Sequence, residues 1–466
     1  MTEGEKIEIL VYPEKRYSSD FVLGNLCGNK NFIDFVILYF NVLRETQFWE
    51  RGHMEELQSL RLKKFLDHIV NNSRFWNDQF KKQGIDVNSF HSISQLYKLP
   101  VLTREMVMEL GEEIYVERKD QAAFSFRYSS GTTGLPLKTR TYEQDFMAAT
   151  FPYYFRNPKF EDDHVIDFLS RRSVVMLGKP GDMRILSNDF VHYIFPSLTL
   201  SDLDDGAVRS EIYEKIEEAG PVMLFGFSSL ILRFVHGVQE DKKKLPIYAI
   251  KLSSDYISSD DRLFIEEITG AIIINVLSST GAGMIGFECS RDLDKFHVNS
   301  ERLILEIIDG DGLKTELDEE GEMIVTAFDR TGTPMIRRAL GDSGKMVSGR
   351  CGCGVKLPLF EFRGRQGDEI ILPSGKKLRS VMLYYFINEA KLGARTRQYQ
   401  IHQENPDRIK ISIVPREHFT VSNEVELRLA LSKFFEGEKM IIDIEYVKNI
   451  SPGAGGKYHM FVPMKK

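Results

Sequence analysis

The chain has 466 residues, of which 42% are hydrophobic and 28% charged, and a net charge of −7. That length exceeds one ordinary domain and predicts two or more. The composition is globular, and the acidic balance leaves no basic footprint for nucleic acid. Four cysteines are too few for a disulfide framework and point to a reducing compartment. The opening MTEGEKIEIL lacks the apolar core of a signal peptide. The longest apolar runs, 35–40 and 271–277, fall far short of a membrane span. A cytoplasmic protein without membrane insertion is therefore expected.

In chain order, residues 31–50 are rich in aromatic side chains and read as a buried helix. Residues 57–70 are a clearer helix, with Leu62, Phe65, Leu66 and Ile69 on one face. Leu99-Pro100 breaks the pattern, and Thr103 is placed to cap a helix with Glu105 in its first turn. Helices are expected over 208–219, 229–240 and 259–268. The β-branched run 271–277 reads as one buried strand, and 302–309 and 322–328 alternate as half-buried strands do. A boundary falls near 364–368. Beyond it lie a strand (409–414), a helix (424–435) and a strand (440–447). The expected architecture is a large α/β N-terminal domain of sheets packed with helices, and a small α+β C-terminal domain.

The densest chemistry lies in residues 128–138, YSSGTTGLPLK. Glycines let backbone approach a ligand closely. Hydroxyls and successive N–H groups can hold anionic oxygens, and a helical run follows, so the natural guest is a polyphosphate. It is not the GxxxxGK[ST] loop, because no Lys-Ser or Lys-Thr follows Gly134. A flexible polar turn would explain such a run if it stood alone.

Other stretches accompany it. Lys251-Leu252-Ser253-Ser254-Asp255 leads into the helix expected at 259–268. Residues 277–289 read LSSTGAGMIGFEC. Thr333-Pro334-Met335-Ile336-Arg337 precedes Gly341-Asp342, and a carboxylate there offers several acceptor sites to a cis-diol. Residues 362–368 read FRGRQGD and residues 451–460 read SPGAGGKYHM. Cys289 and His297 stand eight apart, and Cys351-Gly352-Cys353 follows. Three thiolates and one imidazole fit tetrahedral zinc. With four protein ligands such a site would be structural; buried free thiols are the plain alternative.

Together these motifs resemble the adenylate-forming superfamily of acyl- and aryl-CoA synthetases, luciferases and adenylation domains. Within it they are most similar to phenylacetate–CoA ligases and the adenylating proteins of capsule-biosynthesis clusters. The resemblance runs over roughly residues 57–457. It implies a large adenylation domain over 1–363, a hinge at 364–368 and a small mobile domain over 369–466. It implies that Ser129, Ser130, Gly131, Thr132, Thr133, Gly134 and Lys138 hold ATP phosphates. Ser254 and Asp255 would line the adenine, Ser279 and Thr280 would lie near the α-phosphate, and Asp342 would take the ribose hydroxyls. Arg365 would reach ribose and phosphate. Lys457 would act catalytically with Thr280, neutralising charge between carboxylate and α-phosphate. Phe225-Gly226-Phe227 is a candidate acyl-pocket wall, and Cys289, His297, Cys351 and Cys353 match a zinc site of relatives. Two positions depart from the pattern: Leu277 replaces a tyrosine, and Gly281 replaces the glutamate that helps hold Mg²⁺.

The implied activity is ATP-dependent activation of a small carboxylic acid as an acyl-adenylate. Coenzyme A or a phosphopantetheine arm would then capture it. The implied cofactors are ATP, Mg²⁺ and structural Zn²⁺, and the reading leaves room for an acyl carrier protein partner and a homodimer. The alternatives are transfer to an amine or hydroxyl, adenylyl transfer, and a nucleotide-binding protein that has lost catalysis.

Overall fold

A computed structural model describes the chain except for residues 19–20, 22–23, 91, 119–122, 129–136, 179–188, 254–256, 381–382, 384–386, 388–391, 417–418, 452–459 and 465–466. It divides into two compact units. Met1–Val174, Gly181–His192 and Ile274–Phe362 form the first; Val175–Pro180, Tyr193–Ile273 and Arg363–Lys466 form the second.

In the first unit, helix Lys30–Thr46 starts at Asn29, whose side chain accepts the Phe32 N–H at 3.0 Å. It buries Phe32, Phe35, Val36, Tyr39 and Phe40. Helix Arg51–Asn72 is longer than its apolar pattern suggested. Leu62, Phe65, Leu66 and Ile69 enter a core with Trp76, Phe80, Leu99, Leu102 and Ile336. Each such side chain contributes about 1.5–3 kcal/mol when fully buried. Thr103 caps helix Arg104–Leu110 as its sequence predicts, accepting the Met106 N–H at 3.3 Å.

These helices accompany a seven-stranded sheet. Its order from one edge is Val276–Ser279, Gly283–Glu288, Lys295–Val298, Leu359–Arg365, Met335–Met346, Gly321–Ala327 and Leu303–Ile308. A separate hairpin, Phe124–Tyr128 with Lys138–Tyr142, leads into helix Glu143–Tyr154.

The second unit holds most of a five-stranded sheet in the order Val191–Phe195, Val174–Leu177, Val222–Phe227, Ile247–Ser253, Ile272–Ile274. Val222–Phe227 and Ile247–Ser253 run parallel. Helices Gly206–Ala219, Ser228–Glu240 and Ser259–Thr269 bury Ile212, Ile231, Phe234 and Ile265 in one core with Leu224, Ile250 and Leu252 of these strands. Near the C-terminus, four strands order as Ile441–Tyr446, Arg408–Pro415, Thr396–Asn405, Phe461–Val462. Helix Val421–Phe434 packs its Leu427, Ala430 and Leu431 against Ile401, Ile409, Ile411 and Ile413. The architecture is thus a large mixed α/β N-terminal domain with a distinct small C-terminal domain. No helix among the described residues is long and apolar enough to cross a membrane.

One sequence expectation is corrected. The run 271–277 is not one strand: Ile272–Ile274 belongs to the five-stranded sheet and Val276–Ser279 to the seven-stranded one. The break is at Asn275, the residue between the two strands. Gly341-Asp342 lies within strand Met335–Met346.

Candidate active site and metal centre

Residues 129–134, Ser254, Asp255 and Lys457 lie outside the described residues. The elements that flank residues 129–136 are described. Tyr128 and Lys138 are register partners, so the two ends of that stretch stand side by side. Lys138 Nζ donates to Glu112 at 2.9 Å and lies 4.0 Å over the Phe126 ring. The hydrogen bond to Glu112 raises the pKa of Lys138, which stays an ammonium at neutral pH. Behind the hairpin, Arg127 stacks on Phe146 at 3.9 Å and Arg140 on Phe124 at 4.7 Å.

The hairpin is tied down by one hydroxyl. Thr333 Oγ1 accepts the Arg140 N–H at 2.7 Å and donates to the Arg140 carbonyl at 3.2 Å. Both groups point away from the partner strand, so Thr333 does the work of a missing third strand. Gly332 is required beside it: a Cβ there would stand 2.9 Å from the Arg140 carbonyl oxygen.

Two residues on, Met335 begins the strand that carries Asp342, and its side chain meets a turn. The turn follows strand Val276–Ser279, and the Ser279 hydroxyl accepts the Ala282 N–H at 3.1 Å. A Cβ placed on Gly281 would lie 3.1 Å from Met335 Cε and 3.3 Å from its Sδ. The hairpin that flanks residues 129–136, the Ser279–Thr280 turn and the Asp342 strand therefore converge on Thr333 to Met335.

Asp342 reaches its position through a bulge. Ala339 pairs with Ile324 and Ser343 with Glu322, so Leu340, Gly341 and Asp342 stand against Met323 alone. Gly341 has φ +72°, which explains the glycine. A bulge re-aims side chains, and Asp342 is 8% exposed. Glu288, the nearest acid in sequence to Gly281, accepts the Asp294 N–H at 3.1 Å within its own hairpin.

In the second unit, Arg365 is the exposed last residue of strand Leu359–Arg365, and Gly367 follows at φ +89°. Phe225-Gly226-Phe227 ends a central strand. A Cβ on Gly226 would stand 2.9 Å from the Leu177 carbonyl oxygen, so the glycine permits close strand packing.

The structure brings Cys289, His297, Cys351 and Cys353 together, their ligand atoms all within 4.8 Å of one another. His297 Nε2 lies 3.4 Å from Cys351 Sγ and 3.3 Å from Cys353 Sγ. Its Nδ1 lies 3.1 Å from the Leu357 carbonyl; donation there leaves the Nε2 lone pair for a cation. Backbone N–H groups of Arg291 and Asp292 point at Cys289 Sγ, and that of Val355 at Cys353 Sγ. Burial resists ionisation of Cys289, but His297 and the two N–H donors outweigh it and lower its pKa. Burial and neighbouring Cys351 push Cys353 up to about 12. The S₃N donor set fits zinc.

In the sequence Thr333 stands only as the first residue of the Thr-Pro-Met-Ile-Arg motif. Its clamping role needs the register of the hairpin, and no local signal shows that. The Leu357 carbonyl is likewise invisible to sequence.

The comparisons with known proteins fit this arrangement. Residues 370–463 match the family model for the CapK C-terminal domain. Protein CapK of Staphylococcus aureus is 23% identical over 300 residues, 63% of this chain and 63% of that protein, so the match spans less than two thirds of its length. Among solved structures, 2-hydroxyisobutyryl-CoA ligase in the postadenylation state, in complex with R3-HIB-AMP, superposes with a TM-score of 0.71. The match has 14% identity and covers 90% of this chain and 91% of that one. The same ligase with 2-HIB-AMP and CoA, in its thioesterification state, gives a TM-score of 0.55 at 15% identity, over 90% and 91% of the two chains. The chain therefore has the fold of the adenylate-forming acyl-CoA ligases, and its residues 370–463 carry a CapK-type C-terminal domain.

Proposed function

We propose that the protein activates a small carboxylic acid with ATP, forming an acyl-adenylate and pyrophosphate. A thiol then captures the acyl group, either coenzyme A or a phosphopantetheine arm. The observation that carries the reading is the convergence at Thr333 to Met335 of the hairpin flanking the phosphate stretch, the Ser279–Thr280 turn and the strand of Asp342. Serine and threonine hydroxyls with Lys138 hold the phosphates, Asp342 takes the ribose diol, and Lys457 steadies charge between carboxylate and α-phosphate. Catalysis of this kind is positioning and electrostatic stabilisation. Mg²⁺ is held mainly by ATP phosphates and water, because Gly281 supplies no carboxylate.

The reading includes a hinge at 364–368 between a domain over 1–363 and a small domain over 369–466. Its support is Gly367, whose φ of +89° only glycine adopts freely. It also includes one zinc ion held by Cys289, His297, Cys351 and Cys353, with a structural role. Lys457→Ala tests the assignment. Adenylate formation should fall about 100-fold or more, the scale of a lost transition-state contact, while thioester formation from supplied acyl-adenylate is largely kept. Equal loss in both half-reactions contradicts the role.

A further inference from the structure

The first unit contains a cavity of about 420 Å³ that none of the described nucleotide or zinc residues lines. That volume is in the range of small-molecule sites. Helix Arg51–Asn72 turns Arg61, Lys64, Phe65, His68 and Asn72 into it, one helical face at spacings of 3, 1, 3 and 4 residues. Helix Glu143–Tyr154 presents Asp145, Ala148, Ala149 and Tyr153. The two alanines make the room.

The charges around the cavity are almost balanced. Lys64 binds Glu14 at 2.6 and 2.7 Å, Arg118 binds Asp145 at 3.0 Å, and Arg302 binds Asp329 through Nε at 2.7 Å and Nη2 at 2.6 Å. Arg61 is the exception. It is 8% exposed, and it donates Nη1 to the Glu301 main-chain oxygen at 2.6 Å. Its Nε/Nη2 edge has no acceptor among the described residues. Arg302 and Arg209 each spend that edge on a carboxylate, Asp329 and Asp241. Tyr153 is 2% exposed, and its hydroxyl also has no partner among the described residues.

We propose that this cavity is a binding site for a small monoanionic carboxylate with an apolar body. Its carboxylate lies on the Nε/Nη2 edge of Arg61, with the Tyr153 hydroxyl donating to it, and its body lies against Phe65, Phe328 and Ala149. A planar carboxylate matches the two parallel N–H donors of a guanidinium edge. A buried cation without a carboxylate partner is costly unless an anion completes it. The aromatic and alanine walls favour an apolar body over a hydrated one. The site is additional to the activation reaction, and the binding arm of its test requires neither ATP nor turnover.

The test is calorimetric titration of the full-length protein with benzoate, phenylacetate and hexanoate, and with the corresponding amides. At least one acid should bind, with its amide at least tenfold weaker. Tyr153→Phe removes a hydroxyl with no partner among the described residues, so the fold should persist while acid affinity falls about tenfold, as for one charge-assisted hydrogen bond. Ala149→Leu should fill the cavity and abolish this binding. Pyrophosphate exchange separates the sources of the ligand: an acid that binds without supporting exchange is an effector, and one that does both is the substrate in a second seat. The proposal is overturned if no acid binds, if amides bind as well as acids, or if both variants bind like wild type. It is also overturned if a folded Ala149→Leu protein loses exchange, because the cavity would then belong to the activation site.

Discussion

Thr333→Val removes one hydroxyl and keeps the shape of the side chain. In the native protein that hydroxyl satisfies both backbone groups of Arg140, the N–H at 2.7 Å and the carbonyl at 3.2 Å. Thr333 is 1% exposed, so water cannot readily replace it. Leaving a buried polar group unsatisfied costs about 1–3 kcal/mol. With two groups affected and partial relaxation, the expected loss is about 2–4 kcal/mol, a large part of the stability of a typical domain. The loss falls on the hairpin that flanks the phosphate stretch, so affinity for ATP should drop with it. Urea unfolding reports the first effect, and the ATP dependence of pyrophosphate exchange the second. A variant with unchanged unfolding midpoint and unchanged KM for ATP would refute the clamp. Thr333→Ser, which keeps the hydroxyl, should recover most of both.

Three further outcomes follow. Elemental analysis should find one zinc per chain; His297→Ala should lose it and unfold more readily, because thiolate ligation and folding are coupled, and metal-free protein of full stability would sink the site. Gly281→Glu should lower the Mg²⁺ concentration for half-maximal exchange: Gly281 is not among the positive-φ glycines, and a Cβ there needs only the flexible Met335 side chain to give by a few tenths of an ångström; a fall in activity without tighter metal dependence counts against it. His236 is 8% exposed and lies 4.4 Å from the Phe264 ring, and burial, with Arg416 and Arg233 nearby, lowers its pKa to about 3. The unfolded chain takes up a proton there near pH 6.5 and the folded one does not. Its stabilisation is therefore present above pH 6.5 and is lost as pH falls toward 3, by up to about 1.4 kcal/mol per pH unit. His236→Phe should flatten that slope in urea titrations between pH 6 and 4; an unchanged slope contradicts the assignment.

Much of this was legible in the chain, for identifiable reasons. Leu62, Phe65, Leu66 and Ile69 repeat at helical spacing, and Thr103 caps as its position implies, because both signals are local. The four zinc-type residues converge because hairpins bring Cys289, His297 and the Cys351–Cys353 turn to one end of neighbouring strands. Hydropathy failed where neighbours decide. The run 271–277 is apolar except for Asn275, and one polar residue in a β-branched run does not show that its halves serve two sheets. Strand Thr396–Asn405 was missed because a buried glutamine stands where an apolar residue is expected. Gln403 bonds the main chain of Ile371 in both directions, at 2.9 and 2.6 Å. The clamp of Thr333 and the bulge at Asp342 depend on register, which a single sequence does not encode locally.

Acid-dependent exchange of radiolabelled pyrophosphate into ATP, screened over aryl, alkyl and amino acids, tests the central claim most directly. The account predicts Mg²⁺-dependent exchange confined to one chemical class of acid and lost in Lys457→Ala. Tight ATP binding with no exchange from any acid, together with exchange gained in Gly281→Glu, would contradict it and leave a nucleotide-binding protein without catalysis.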